Sequence, residues 1–230
     1  MSDELRPDVL VFDVNETLSD MAPLGARLRD AGLPAELLRV WFAGVLRDGI
    51  ALTLAGGRAS FTDIAGDGLR TLLARETPAA DPGPLVDHVL AGLPRLPVHP
   101  DVPDGVRALR EAGHRLMTLT NGSADTTRAV LAAAGLEDAF EAHLDIQGAG
   151  GRWKPDRAAY AHALRTARVP AAAAMLVSVH PWDVDGAARA GLRTAWLRRT
   201  LAPYPSALHP ADLEATGVTD LARLLAAAAD

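Results

Sequence analysis

The chain has no cysteine, which excludes disulfides, thiolate metal sites and cysteine nucleophiles. It has no apolar run approaching the roughly 18 residues of a membrane span, and residues 1–6 are acidic and polar rather than signal-like. The cytoplasm is therefore the expected compartment, with no membrane association. It also has no basic block, and with a net charge of −6 it offers nothing that invites nucleic acid or an anionic surface. Most unusual is the near absence of lysine. Of 23 basic residues, Lys154 is the only one that is not arginine. An ammonium is a compact charge that donates in several directions, which a planar guanidinium cannot copy. A sequence that uses arginine everywhere else has kept one ammonium at one position.

What is present is ordinary for a globular protein with a large core. Hydrophobic residues make up 49% and charged residues 23% of 230 residues, a length that suits one domain or a core with an insertion. Val9, Leu10, Val11 and Phe12 form a short apolar run that predicts a strand buried on both faces. It stops abruptly at Asp13, followed by Asn15, Glu16 and Thr17. A carboxylate there sits where open α/β sheets bind ligands, which makes Asp13 a candidate nucleophile, with capping of the next helix as the alternative.

Helical spacing then dominates residues 20 to 97, with apolar periodicity over 21–31, 34–54, 61–75 and 85–93. Gly56-Gly57 and the Pro-rich 77–84 stretch read as breaks. After a helix over 102–112, strands and helices alternate. Strands are predicted at 115–120, 143–146, 174–178 and 194–197, and helices at 125–134, 156–168, 184–190 and 221–229. Such alternation predicts an α/β fold, a Rossmann-like doubly wound parallel sheet of about five strands. Residues 1–18 and 98–230 would form the core domain, and 19–97 a helical cap inserted after strand 1, above the strand ends.

Four places on this topology carry unusual polar chemistry. They are Asp13-Val-Asn15-Glu16-Thr17, Thr120-Asn121-Gly122-Ser123, Trp153-Lys154-Pro155-Asp156 with Tyr160 six residues after the lysine, and Ser178-Val-His180-Pro-Trp182-Asp183. Each alone has a plain structural explanation as a turn or helix start. In this order and spacing the chain resembles the haloacid dehalogenase superfamily, and within it the L-2-haloacid dehalogenase branch, over essentially its whole length.

The resemblance implies that Asp13 is a nucleophile, with Thr17 as its threonine partner. It attacks a saturated carbon, expels a leaving group and forms an ester, and water then hydrolyses the ester. Lys154 would keep Asp13 ionised, and Asp183 would hold Lys154 or orient the water. Tyr160 and Ser178 would fix Lys154 by hydrogen bonds. Thr120, beside Asn121 and backbone N–H groups, would receive a substrate carboxylate or a developing oxyanion. The implied reaction converts a small (S)-2-haloalkanoic acid to the (R)-2-hydroxy acid, with water as the other reactant and no cofactor. A homodimer through cap and core helices also follows from the resemblance, although no apolar stripe demands one.

Most of the superfamily are Mg²⁺ phosphatases, and that alternative is weakened by two positions. Asn15 stands where a phosphatase has its acidic residue two after the nucleophile, and it cannot donate a titrating proton. Val179 stands where the fourth segment has the first of two acidic residues, which leaves a poor oxygen set for Mg²⁺.

Departures from the dehalogenase pattern are equally visible. Val40-Trp41-Phe42 puts Phe42 where the branch has a cap arginine. Arg39, three residues before Phe42, could substitute, and Arg47 is less well placed. Asn15 stands in place of an aromatic residue, Glu16 in place of glycine and His180 in place of asparagine. With His180 or Glu16 as proton donor, the same attack could open a small strained heterocyclic carboxylate. A non-catalytic domain binding a ligand or partner through the cap is a further alternative. Phe42, Phe61 and Trp41 are candidates to line an apolar pocket, with Trp182 beside the site, although helix-spaced aromatics also serve as core. The other six histidines show no ligand spacing.

Overall fold

The computed structural model describes residues 7–76 and 81–228. The polar stretch 1–6, residues 77–80 of the Pro-rich break and residues 229–230, the first of which ends the last predicted helix, lie outside them. Strand β1, Val9–Phe12, is wholly buried, as its unbroken apolar pattern requires. Parallel strands β2 (Arg115–Thr120) and β4 (Ala174–Ser178) flank it. β3 (Ala142–Asp145) extends the sheet beyond β2, and β5 (Arg193–Leu197) and β6 (Leu213–Ala215) extend it beyond β4. The order is β3-β2-β1-β4-β5-β6, so the chain changes direction across the sheet between β1 and β4. That is the switch point at which the crevice of a doubly wound sheet opens.

The sheet has six strands, not five. The Leu213-Glu-Ala strand is too short to show a period, and only its parallel pairing with β5 defines it. Ile146, expected at the end of a strand, instead begins a 3₁₀ turn in which the Asp145 carboxylate accepts from Gln147 N–H. Among the described residues five α-helices lie between β1 and β2, and the first four make up the insertion: α1 (Leu24–Asp30), α2 (Leu37–Leu54), α3 (Phe61–Glu76) and α4 (Pro82–Leu90). α5 (Val102–Glu111) leads into β2, and α6 (Ala124–Ala133) and α7 (Arg157–Ala167) follow β2 and β3. α8 (Pro181–Arg189) follows β4, and α9 (Val218–Ala227) packs on α5. α8 starts a turn earlier than expected because Pro181 suits the first helical position, where its missing N–H costs nothing.

The two faces of the sheet and the inserted helices bury three separate apolar clusters, with Val9, Val11, Met117, Leu119 and Leu176 packing on the α7 side. Leu10, Phe12, Leu116, Met175 and Val177 pack under α5 and α9. Leu24, Leu28, Trp41, Val45, Leu69 and Leu73 pack among the inserted helices, with Trp153 from the sheet side joining them. Two crossing segments link the parts, and they pair with each other. Asp20 N–H donates to Pro97 O at 2.8 Å, and His99 N–H donates to Leu18 O at 2.9 Å.

Candidate active site

Asp13 follows β1, and its own N–H donates to Val177 O of β4 at 3.0 Å, which pins it at the switch point. The Lys154 ammonium, with no exposed surface, donates to Asp13 Oδ1 at 2.8 Å and to Asp183 Oδ2 at 2.6 Å. Thr17 Oγ1 donates to the other Asp13 oxygen at 2.6 Å and accepts from Val179 N–H. Tyr160 donates to Asp183 Oδ1 at 2.7 Å. Both oxygens of each carboxylate therefore have a donor, the condition for keeping charge in a buried place.

Burial alone would push the Asp13 carboxyl up, but Lys154, with help from His180 and Thr17, brings it below its ordinary value. Asp183 goes the other way. Burial and the nearby Asp13 charge outweigh Lys154 and raise its carboxyl. For Lys154, burial works against the charge, and the two carboxylates overcome it and raise the ammonium. Burial and Asp183 push the Tyr160 phenol well above the usual range, so it stays a donor.

Two expected partners of Lys154 act at one remove. Tyr160 holds Asp183 rather than the ammonium, and Ser178 Oγ accepts from His180 N–H at 3.1 Å. Asn121 faces the Lys154 main chain, accepting from its N–H at 2.8 Å, and so fixes the loop that carries the ammonium. Thr120 Oγ1 accepts from Gly122 N–H at 2.9 Å. Thr120, Gly122, Asn15 and Phe61 border a space of only about 20 Å³, about the size of one water.

Above the carboxylates lie aromatic rings. Trp182 stacks on His180 at 5.1 Å, Phe42 lies 6.2 Å from His180, and Phe61 lies 6.4 Å from Phe42. Phe61 stacks on Trp153 at 6.0 Å. With Tyr160 beneath, half of the chain's ten aromatic residues are gathered here. Trp153 also ties the inserted helices down: its backbone N–H donates to Thr53 Oγ1, and its indole N–H donates to Ala59 O.

His180 Nε2 lies 3.2 Å from Asn15 O, 3.7 Å from Asp13 Oδ2 and 3.8 Å from Glu16 Oε2. Glu16 adopts the left-handed backbone (φ 62°), which explains why glycine suits this position. Burial raises its carboxyl, with Asp13 adding to the rise against His180 and Arg39. Beyond Glu16 and His180 a cleft of about 370 Å³ opens, and Arg39 and His99 line it. Arg47, by contrast, is an exposed partner of Asp48.

Sequence reasoning missed His99 and Arg199. His99 Nε2 lies 3.0 Å from Glu16 O, and Arg199 donates to Thr17 O while pairing with Asp101. Both hold carbonyls of the Asp13 loop from distant segments, and no local spacing signals that. Among the described residues no group of three or more His, Asp or Glu converges as metal ligands. The oxygens of Asp13 and Asp183 already face an ammonium, and Asn15 and Val179 add no carboxylate, so this donor set does not fit Mg²⁺.

A family model for haloacid dehalogenase-like hydrolases matches residues 7–191. The chain belongs to the haloacid dehalogenase-like hydrolase family. Within that family it is 29% identical to an (S)-2-haloacid dehalogenase from Pseudomonas sp. (strain YL), over 96% of this chain and 95% of the relative. Its fold matches the L-2-haloacid dehalogenase of Xanthobacter autotrophicus with a TM-score of 0.86 at 26% identity, covering 96% of this chain and 98% of that one. A second structure of the Xanthobacter enzyme, with chloropropionic acid covalently bound, matches with a TM-score of 0.85 at 26% identity over the same shares. A phosphoserine phosphatase from Thermus thermophilus is 36% identical, but over only 50% of this chain and 47% of its own length.

Proposed function

We propose that this family member is a hydrolytic (S)-2-haloacid dehalogenase acting through a covalent ester on Asp13. The observation that carries the reading is the buried Asp13, held ionised by Lys154 and Thr17, with Asn15 rather than an acid two residues on. The full-length similarity to haloacid dehalogenases supports it, and phosphate-ester cleavage and ring opening are not favoured.

An Asp13 oxygen attacks C2 of the haloacid from the face opposite the halogen. The C–O bond forms as the carbon–halogen bond breaks, and the halide leaves with the electron pair. Attack from the back face inverts C2, so an (S)-haloacid gives an (R)-hydroxy acid. Phe42 and Phe61 give the departing halide an apolar surround. Water then attacks the Asp13 carbonyl carbon, the ester C–O bond breaks, and the hydroxy acid leaves with its oxygen taken from Asp13. One net proton is released. His180, between Asp13 Oδ2 and Glu16, stands where it can take the proton from that water.

Asp183 and Tyr160 keep the ammonium aimed at Asp13, and the Thr120 hydroxyl, whose oxygen accepts from Gly122 N–H, is left to donate to the substrate carboxylate. The proposal extends to a small 2-haloalkanoate and water as the only reactants, to the cytoplasm as the compartment, and to a homodimer as the working form. Halide release from (S)-2-chloropropionate tests it, with Asp13→Asn expected at background. A single turnover in H₂¹⁸O should give an unlabelled hydroxy acid and label on Asp13. Labelled product on the first turnover would overturn the ester route.

A further inference from the structure

The two sides of the Asp13 site differ greatly in room. On the Asn15–Thr120 side the space is about 20 Å³. On the Glu16–His180 side a cleft of about 370 Å³ runs outward, a volume within the range of small-molecule sites and far beyond what a propionate methyl needs. Its walls change character along the way. Met21, Leu38, Val179 and Leu197 give it apolar sides, whereas Arg39 stands over it from α2. Arg39 is exposed and makes no hydrogen bond or ion pair among the described residues, and it feels Glu16 only through its charge. Arg199, the other arginine of the cleft, is committed to Asp101 and Thr17 O.

An apolar-sided cleft that starts at His180, whose Nε2 lies 3.7 Å from Asp13 Oδ2, and that holds an uncommitted guanidinium suits a chain that ends in an anion. We infer that the preferred substrates are 2-haloacids with a longer side chain bearing a distal carboxylate, which Arg39 receives at the cleft mouth. This rests on the dehalogenase reading above and names the substrate class of that same site. The reaction is unchanged: Asp13 displaces halide at C2, and the tail occupies the cleft. A guanidinium matches a carboxylate in a two-point fork, which a methyl-terminated chain of the same length cannot use.

The test compares bromide release from (S)-2-bromopropionate, (S)-2-bromohexanoate and (S)-2-bromoadipate, the last two of equal chain length. In the wild type, kcat/KM for bromoadipate should exceed that for bromohexanoate by about tenfold or more, the effect of roughly 1.4 kcal/mol. Arg39→Gln should collapse that ratio toward one, and Arg39→Lys should restore part of it. Turnover of bromopropionate with a wild-type ratio at or below one overturns the inference and leaves the dehalogenase reading standing. A ratio that Arg39→Gln does not move overturns it as well. No bromide from any of the three removes both readings.

Discussion

At the residue scale the site turns on one ammonium shared by two buried carboxylates. Removing it as Lys154→Met would leave Asp13 and Asp183 facing each other without compensation. Breaking a buried pair in this way costs about 3–5 kcal/mol, so the variant should lose activity and melt far below the wild type in a thermal scan. Lys154→Arg keeps the charge but not its shape, and activity should not return, because a bulkier planar guanidinium does not fit the fully buried place that a compact ammonium fills between Asp13 Oδ1 and Asp183 Oδ2. Because the Lys154 pKa is raised above its ordinary 10.5, the stability it adds is fully present below that pH and is lost only as pH rises through the higher folded value. Asp13 is lowered, so its contribution is present above its ordinary 3.8 and fades as pH falls through a still lower value. The acid limb of kcat/KM should then belong to a carboxyl that is raised. Glu16 touches the His180 side of the reaction and titrates above its ordinary 4.5. Glu16→Gln should move that limb to lower pH. A limb that stays in place would rule out Glu16 as its source.

At the scale of elements, two glycines of one helix separate what packing demands from what helix propensity prefers. A methyl on Gly49 of α2 would run into the Trp153 indole, whereas one on Gly44 would have only an Arg47 nitrogen at 3.9 Å. Alanine gains about 1 kcal/mol over glycine within a helix, and overpacking costs roughly 1–3 kcal/mol. Gly44→Ala should therefore raise the denaturant midpoint. Gly49→Ala should lower it and also weaken catalysis, because the displaced Trp153 sits next in the chain to Lys154. The long, strongly periodic elements were legible in the sequence: β1, β2, β4, α2 and α3 lie within a few residues of where the apolar spacing puts them. β6 was not legible, since three residues carry no period and only pairing with β5 creates the strand. Asp13, Lys154 and Asp183 were legible because Asp13 ends a buried run, Lys154 is the only lysine and stands before Pro155, and Asp183 falls in the first turn of the helix that opens at Pro181. The hold of Asn121 on the Lys154 main chain, and of His99 and Arg199 on the Asp13 loop, was not, because those contacts join segments 33 to 182 residues apart.

At the scale of the whole molecule, the apolar cluster on the α5–α9 face of the sheet and the cluster of the inserted helices are joined by a pair of crossing segments and by Trp153, and the Asp13–Lys154 site lies between them. Asp13, Thr120 and Lys154 belong to the sheet side, whereas Phe42, Phe61 and Arg39 come from the inserted helices. A substrate held between the two sets binds only when both are folded and docked, so it stabilises the joined state by mass action. At 100 times Kd that amounts to about 2.7 kcal/mol. For a chain of this length, 1 kcal/mol moves the midpoint by roughly 2–4 °C, so saturation should raise it by roughly 5–10 °C. Asp13→Asn with (S)-2-chloropropionate gives this measurement without turnover, because the amide binds the haloacid but cannot displace halide. A matched phosphate monoester should give no comparable shift, since Asp13, Asp183 and Asn15 provide neither the metal-binding set nor the acid that such a substrate requires. A large shift with the phosphate and none with the haloacid would mean that the space between the two clusters is built for a different anion, and the dehalogenase reading would fall with it.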